Sequence, residues 1–148
     1  MYGMVNHGIQ TFVTENYGEA DWRDICARAG LKQESFEGML TYPDEVTYKL
    51  VGALSEKYDL TAEAVLQIFG DYWVDYSAKT SIGKLMRFSG KGLSERLATL
   101  NDLHDRIKMS MPHLQPPSFE FEEGEGNEHK LHYASERDGL ESMVIGLV

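Results

Sequence analysis

Residues 93–137 read LSERLATLNDLHDRIKMSMPHLQPPSFEFEEGEGNEHKLHYASER, and a change of periodicity inside this stretch decides the fold. In its first half Leu93, Leu97, Leu100, His104, Ile107 and Met111 recur at spacings of three and four. That pattern predicts one helix over about 93–111 with a single buried side. Pro112, Pro116 and Pro117 then stop it, because proline lacks the amide hydrogen and disfavours helix in the residue before it. In the second half Phe119 and Phe121 alternate with polar residues over 118–122, residues 124–127 supply a glycine-rich turn, and 130–137 alternates again. A β-hairpin follows.

Working towards the N-terminus, the chain reads as helical. Val5, Ile9, Phe12 and Val13 share one helical face; after a break at Gly18, Trp22, Ile25, Cys26 and Ala29 share another. Val46, Leu50 and Leu54 mark a third helix beyond Pro43, and Thr61 is placed to cap a fourth that runs through Val65, Ile68, Phe69, Tyr72 and Trp73. Towards the C-terminus a helical stretch over 140–148 ends on Ile145-Gly146-Leu147-Val148 without a cap. The sequence therefore predicts an α+β fold in one domain, 1–148, helical over about 1–111 and built of a hairpin and the start of a last helix over about 118–148. A lone hairpin is marginal in water, so a C-terminal part cut short is expected.

The chain has 148 residues, 42% of them hydrophobic, and a formal net charge of -10. That size buries a core in one domain. The acidic balance argues against a nucleic-acid surface, which needs clustered Lys and Arg, and against an anionic membrane. No apolar run approaches the roughly 20 residues of a membrane span, and the first residues lack the pattern of a secretion signal, so a cytoplasmic protein is expected. Cys26 is the sole cysteine, which excludes an intrachain disulfide and a cysteine zinc site and suits a small core residue.

Two features are out of place in a plain helical domain. His104 stands where the apolar stripe calls for an aliphatic side chain. Burying an imidazole without a partner costs about 1–3 kcal/mol, so it should hydrogen-bond within the core or coordinate something. The second feature is Tyr133-Ala134-Ser135-Glu136-Arg137. Strand alternation sends Tyr133, Ser135 and Arg137 to one side, two hydroxyls and a guanidinium that suit a carboxylate, or else a solvent-facing polar strand. Axial imidazole, apolar slot and carboxylate-binding groups are together what haem requires. His113, His129 and His132 straddle a turn and read as surface histidines rather than a zinc site, and Glu120, Glu122, Glu123 and Glu125 lack the loop spacing of a calcium site.

The opening Met1-Tyr2-Gly3-Met4-Val5-Asn6, Tyr17-Gly18, Trp22, Phe69-Gly70-Asp71-Tyr72-Trp73, Leu103-His104, Pro116-Pro117 and the Tyr-x-Ser-x-Arg motif at 133–137 give a resemblance over essentially the whole chain. The sequence resembles the haem-nitric oxide/oxygen binding family, bacterial relatives of the haem domain of soluble guanylate cyclase. The resemblance implies a helical N-terminal part, a C-terminal part with an antiparallel four-stranded sheet and long helix, and haem b between them. It implies that the chain ends inside that helix, before the final two strands. It also implies that His104 is the iron ligand, that Tyr133, Ser135 and Arg137 hold the propionates, and that Pro117 distorts the macrocycle. Met1, Leu100 and Leu103 are expected as further haem contacts.

Oxygen-binding relatives carry a tyrosine on the helix that follows the motif. Here that segment reads Asp138-Gly139-Leu140-Glu141-Ser142-Met143-Val144, without one. Val5, Trp73 and Met143 are the expected distal-pocket residues, with Ser142 and the Trp73 indole the remaining hydrogen-bond donors. The resemblance implies NO and CO as ligands, poor oxygen binding, and signalling through release of His104 and flattening of the haem against Pro117. No output domain is legible, so a separate histidine kinase or cyclic-dinucleotide enzyme is the expected partner and the chain itself is not expected to be an enzyme. A peroxidase would need distal acid–base groups absent from this set. The rival reading is a haem-free interaction module in which Tyr133, Ser135 and Arg137 grip a partner's carboxylate.

Overall fold

The structure is a computed structural model that describes residues 1–80, 83, 92–126 and 128–148. Its elements run α1 (Gly3–Tyr17), α2 (Glu19–Arg28), α3 (Asp44–Tyr58), α4 (Ala62–Lys79), α5 (Leu93–Ala98), α6 (Leu100–Lys108), β1 (Ser118–Glu123), β2 (His129–Ala134) and α7 (Glu141–Leu147). They fall into two compact units, residues 1–76 with 142–148, and residues 77–141. Among the described residues no helix is long and apolar enough to cross a membrane.

The first unit is helical, as its periodicity predicts. Gly18 adopts φ 91°, a conformation that disfavours side chains, and its N–H satisfies the carbonyls of Val13 and Thr14, ending α1 where the sequence breaks. Thr61 caps α4 as expected, its Oγ1 accepting from the Ala64 N–H at 3.2 Å. Ile9, Val13, Trp22, Ile25 and Leu50 form the centre of this core, and the Trp22 indole donates to the Glu34 carbonyl at 2.6 Å. Cys26 is buried here, and burial pushes its thiol up to about 11. Residues 142–146 of α7 lie against α4 at two glycines. A Cβ on Gly70 would stand 2.1 Å from the Met143 carbonyl oxygen, and one on Gly146 2.0 Å from that of Gln67.

In the second unit the single helix expected over 93–111 is interrupted. Thr99 leaves helical geometry at φ -104° and ψ 6°, and its hydroxyl donates to the carbonyls of Glu95 and Arg96. Such side-chain bonding competes with the helical ladder, so α5 and α6 form instead. The Leu93 side chain, first of the predicted stripe, and Asn127 of the predicted turn lie outside the described residues. β1 and β2 form a two-stranded antiparallel sheet in the register Phe119↔Tyr133 and Phe121↔Leu131. Strand β2 stops at Ala134, three residues short of the predicted end, because the chain turns at Ser135.

Candidate functional site

His104 sits on α6, half-buried, with its ring 6.0 Å from that of Phe119 on β1. Phe119 in turn lies 5.7 Å from Tyr133, its register partner on β2. The imidazole Nδ1 is 3.2 Å from the Pro117 carbonyl oxygen. A carbonyl can only accept, so Nδ1 carries the hydrogen and Nε2 keeps a bare lone pair. Burial, the largest influence, lowers the His104 pKa below its ordinary value, against the opposing pull of the Pro117 bond. A neutral imidazole with one nitrogen pinned by a carbonyl and the other free to coordinate is the form that metal-binding histidines take.

Asn101, which sequence reasoning did not single out, fixes this helix to the sheet. Its side-chain Nδ2 donates to the Phe119 carbonyl at 2.7 Å and its Oδ1 accepts from the Phe119 N–H at 2.9 Å. The amide thus replaces a neighbouring strand at the edge of β1. Its position one helical turn before His104 was the available signal: a side chain at i-3 shares the face that carries the histidine.

The Tyr-x-Ser-x-Arg residues are placed differently from the extended strand predicted for them. Tyr133 lies on β2, whereas Ser135 and Arg137 follow it in a turn where the Ser135 hydroxyl accepts from the Arg137 N–H at 3.0 Å. Strand alternation therefore does not set the direction of the last two. Arg137 Nη1 donates to the Gln115 carbonyl at 2.6 Å and Nη2 reaches Gln115 Oε1 at 3.2 Å. The guanidinium is already held in the two-pronged manner that suits a carboxylate. Ser135 also borders an open hollow of about 480 Å³ that Gln115, Pro116 and Lys108 help to line. Leu103 is buried on α6 and Leu100 half-buried.

The remaining expected residues belong to the first unit. Val5 on α1, Trp73 on α4 and Met143 on α7 are each half-buried, and Ser142 is buried. Trp73 packs against Phe69 and Tyr76 at 5.7 and 5.4 Å between ring centres. The Met143 carbonyl lies against Gly70, three residues before Trp73. Met1 is engaged at the start of α3: its ammonium bonds the Tyr42 carbonyl and the Asp44 carboxylate, and its sulfur lies 3.4 Å from the Thr47 hydroxyl, which donates to Asn6 Oδ1 at 2.6 Å.

The histidines outside this site have other partners. His129 packs against Phe121 at 5.4 Å, while His132 pairs with Glu122 at 3.2 Å from the other phase of β2. Among the described residues no group of three His, Cys, Asp or Glu side chains is arranged to hold a metal ion.

Comparison with known proteins bears on the family and the fold. The chain is 31% identical to soluble guanylate cyclase gcy-32 of Caenorhabditis elegans over 100% of its own length and 22% of that protein. It is 25% identical to soluble guanylate cyclase 89Db of Drosophila melanogaster, over 99% of its length and 22% of the relative. The chain thus spans about a fifth of the curated relatives it matches. Among solved structures, an H-NOX protein from S. oneidensis superposes with a TM-score of 0.88 at 16% identity, covering 99% of this chain and 78% of that one. The unliganded Fe(II) H-NOX protein from K. algicida gives 0.82 at 21%, covering 99% and 79%. These likenesses show the fold. The family description Haem-NO-binding matches residues 2–148, which disfavours a haem-free interaction module. The chain belongs to the Haem-NO-binding family.

Proposed function

We propose that this chain is a haem-based gas sensor in which His104 supplies the protein ligand to the iron of haem b, NO and CO are the gases bound, and a separate protein receives the signal. The observation that carries the reading is the bond from His104 Nδ1 to the Pro117 carbonyl, which leaves Nε2 as a neutral donor on a half-buried ring. Family membership supports haem as the cofactor. When bound, a ferrous haem would supply an iron able to take up a diatomic gas.

The chain's own residues do the rest. Tyr133, Ser135 and Arg137 hold the propionates, with Arg137 exchanging its bonds to Gln115 for bonds to carboxylate. Because Pro117 grips the His104 ring through its carbonyl, a displacement of the imidazole is transmitted to the Pro117 backbone that leads into β1. Leu100, Leu103 and Met1 add apolar contact. Val5, Trp73 and Met143 give the gas an apolar side with no tyrosine donor, which favours NO and CO over oxygen, whose bound form carries negative charge and needs a hydrogen bond.

A sensor of this kind acts only if its two conformations differ in affinity for a partner. A histidine kinase or a cyclic-dinucleotide enzyme in the cytoplasm suits that role, and the guanylate cyclase relatives add a nucleotide cyclase to the class. Catalysis then resides in the partner and not in this chain. The test is haem loading of His104→Gly: the Soret band is lost or displaced and returns on adding free imidazole. A variant with the wild-type spectrum and no response to imidazole would overturn the assignment of the ligand.

A further inference from the structure

In the first unit Phe12 and Tyr17 of α1, Tyr58 of α3, and Leu60, Ile68 and Phe69 at and beyond the turn into α4 border a hollow of about 40 Å³. No charged side chain lines it. A water-sized sphere needs roughly 10–15 Å³, so the space admits the tip of one aliphatic side chain. The hollow meets solvent among large apolar groups, for Tyr17, Leu60 and Ile68 are 50, 39 and 44% exposed. Apolar residues exposed singly are ordinary, whereas three around one hollow form a patch of the kind that marks an interaction site.

The walls are held in place by the chain itself. The Tyr17 and Tyr58 rings lie 4.6 Å apart, and Phe12 packs edge-on against Tyr17 and Tyr72 at 6.2 and 5.1 Å. Two phenols fix carboxylates beside them: Tyr58 donates to Asp21 at 2.9 Å and Tyr72 to Glu15 at 3.1 Å. A surface ordered in advance loses little freedom when it is covered.

Charge indicates what covers it. Residues 12–22 and 58–76, which frame the hollow, hold seven Asp and Glu and no Lys or Arg, so they carry -7 of the formal net charge of -10. Lys57, next in sequence, is taken by Asp21 at 3.3 Å and Asp24 at 2.8 Å. Asp59 precedes Leu60, and Asp71 follows Ile68 by one helical turn; both are exposed. An anionic membrane, or a second copy docking by the same face, would bring like charge to this patch. A cationic partner is drawn to it.

We propose that this hollow docks a basic segment of the protein that receives the signal, an aliphatic side chain filling the space while flanking Lys and Arg meet Glu15, Asp59 and Asp71. The proposal rests on the sensor reading for the existence of that receiver and adds the surface and chemistry by which it is held.

The test is fluorescence anisotropy on the full haem-loaded chain, with a labelled synthetic peptide in which leucine alternates with lysine and arginine. Binding that weakens with added salt is expected. It should fall about tenfold when serine replaces leucine in the peptide, and likewise in Ile68→Ser. Asp71→Lys should weaken it about fivefold, whereas Glu120→Lys, the same charge change on the hairpin of the other unit, should leave it unaltered. Circular dichroism checks that each variant is folded. No binding, equal binding of the leucine and serine peptides, or equal losses in Asp71→Lys and Glu120→Lys would overturn the proposal. Self-association of the wild type that Ile68→Ser abolishes would overturn it in favour of a second copy. Peptide binding that persists where the Soret test of His104 fails supports the docking surface and counts against the sensor.

Discussion

The Nδ1 hydrogen of His104 is committed to the Pro117 carbonyl, so this residue has one nitrogen for structure and one for a ligand. Its depressed pKa makes a second statement, about stability. In the unfolded chain the imidazole titrates at its ordinary value of 6.5, and in the folded chain, lower. Above 6.5 both states are neutral and His104 adds no pH dependence. As pH falls through 6.5 the unfolded state takes up the proton first, so the folded state loses stability until the folded group is protonated too. Urea midpoints measured on the haem-free chain from pH 7.5 to 5 should therefore fall more steeply in the wild type than in His104→Gln, and equal slopes would contradict a neutral buried ring. The sequence made His104 conspicuous as a histidine on an apolar stripe, but the bond that sets its tautomer comes from a proline carbonyl 13 residues away and has no sequence signature.

At the scale of elements, α6 and the hairpin are joined by the Asn101 amide, which satisfies the N–H and C=O of Phe119 together. Asn101→Ala leaves both groups of a buried residue without that partner, and each unsatisfied group costs about 1–3 kcal/mol. A lowered unfolding midpoint with a weaker haem spectrum is expected, since the helix that carries His104 loses its anchor; unchanged stability would show that the clamp is dispensable. In the other unit α7 approaches α4 at Gly70 and Gly146. Gly70→Ala sets a methyl 2.1 Å from the Met143 carbonyl oxygen. The helices must separate, and overpacking of this kind costs roughly 1–3 kcal/mol. Thermal unfolding by circular dichroism reads that loss. Helix positions were legible from periodicity because each first-unit helix buries one face. The interruption at Thr99 and the end of β2 at Ala134 were not, since both depend on one hydroxyl turning back on the main chain. The same turn holds Ser135 and Arg137 together by a route other than the strand alternation from which Tyr133, Ser135 and Arg137 were read as one face.

At the scale of the whole molecule, the residues assigned to a haem divide between the two compact units, His104, Pro117, Leu100, Leu103, Tyr133, Ser135 and Arg137 in one and Met1, Val5, Trp73 and Met143 in the other. The sensor reading stands first on His104, and one spectrum tests that residue. The reduced, haem-loaded chain should show a histidine-ligated ferrous band. Adding NO should convert it to the band of a nitrosyl haem that has lost its histidine, and exposure to air should give no stable oxygenated form. A ferrous spectrum without a histidine ligand, or a nitrosyl spectrum that keeps one, would contradict His104 as the ligand whose release reports NO.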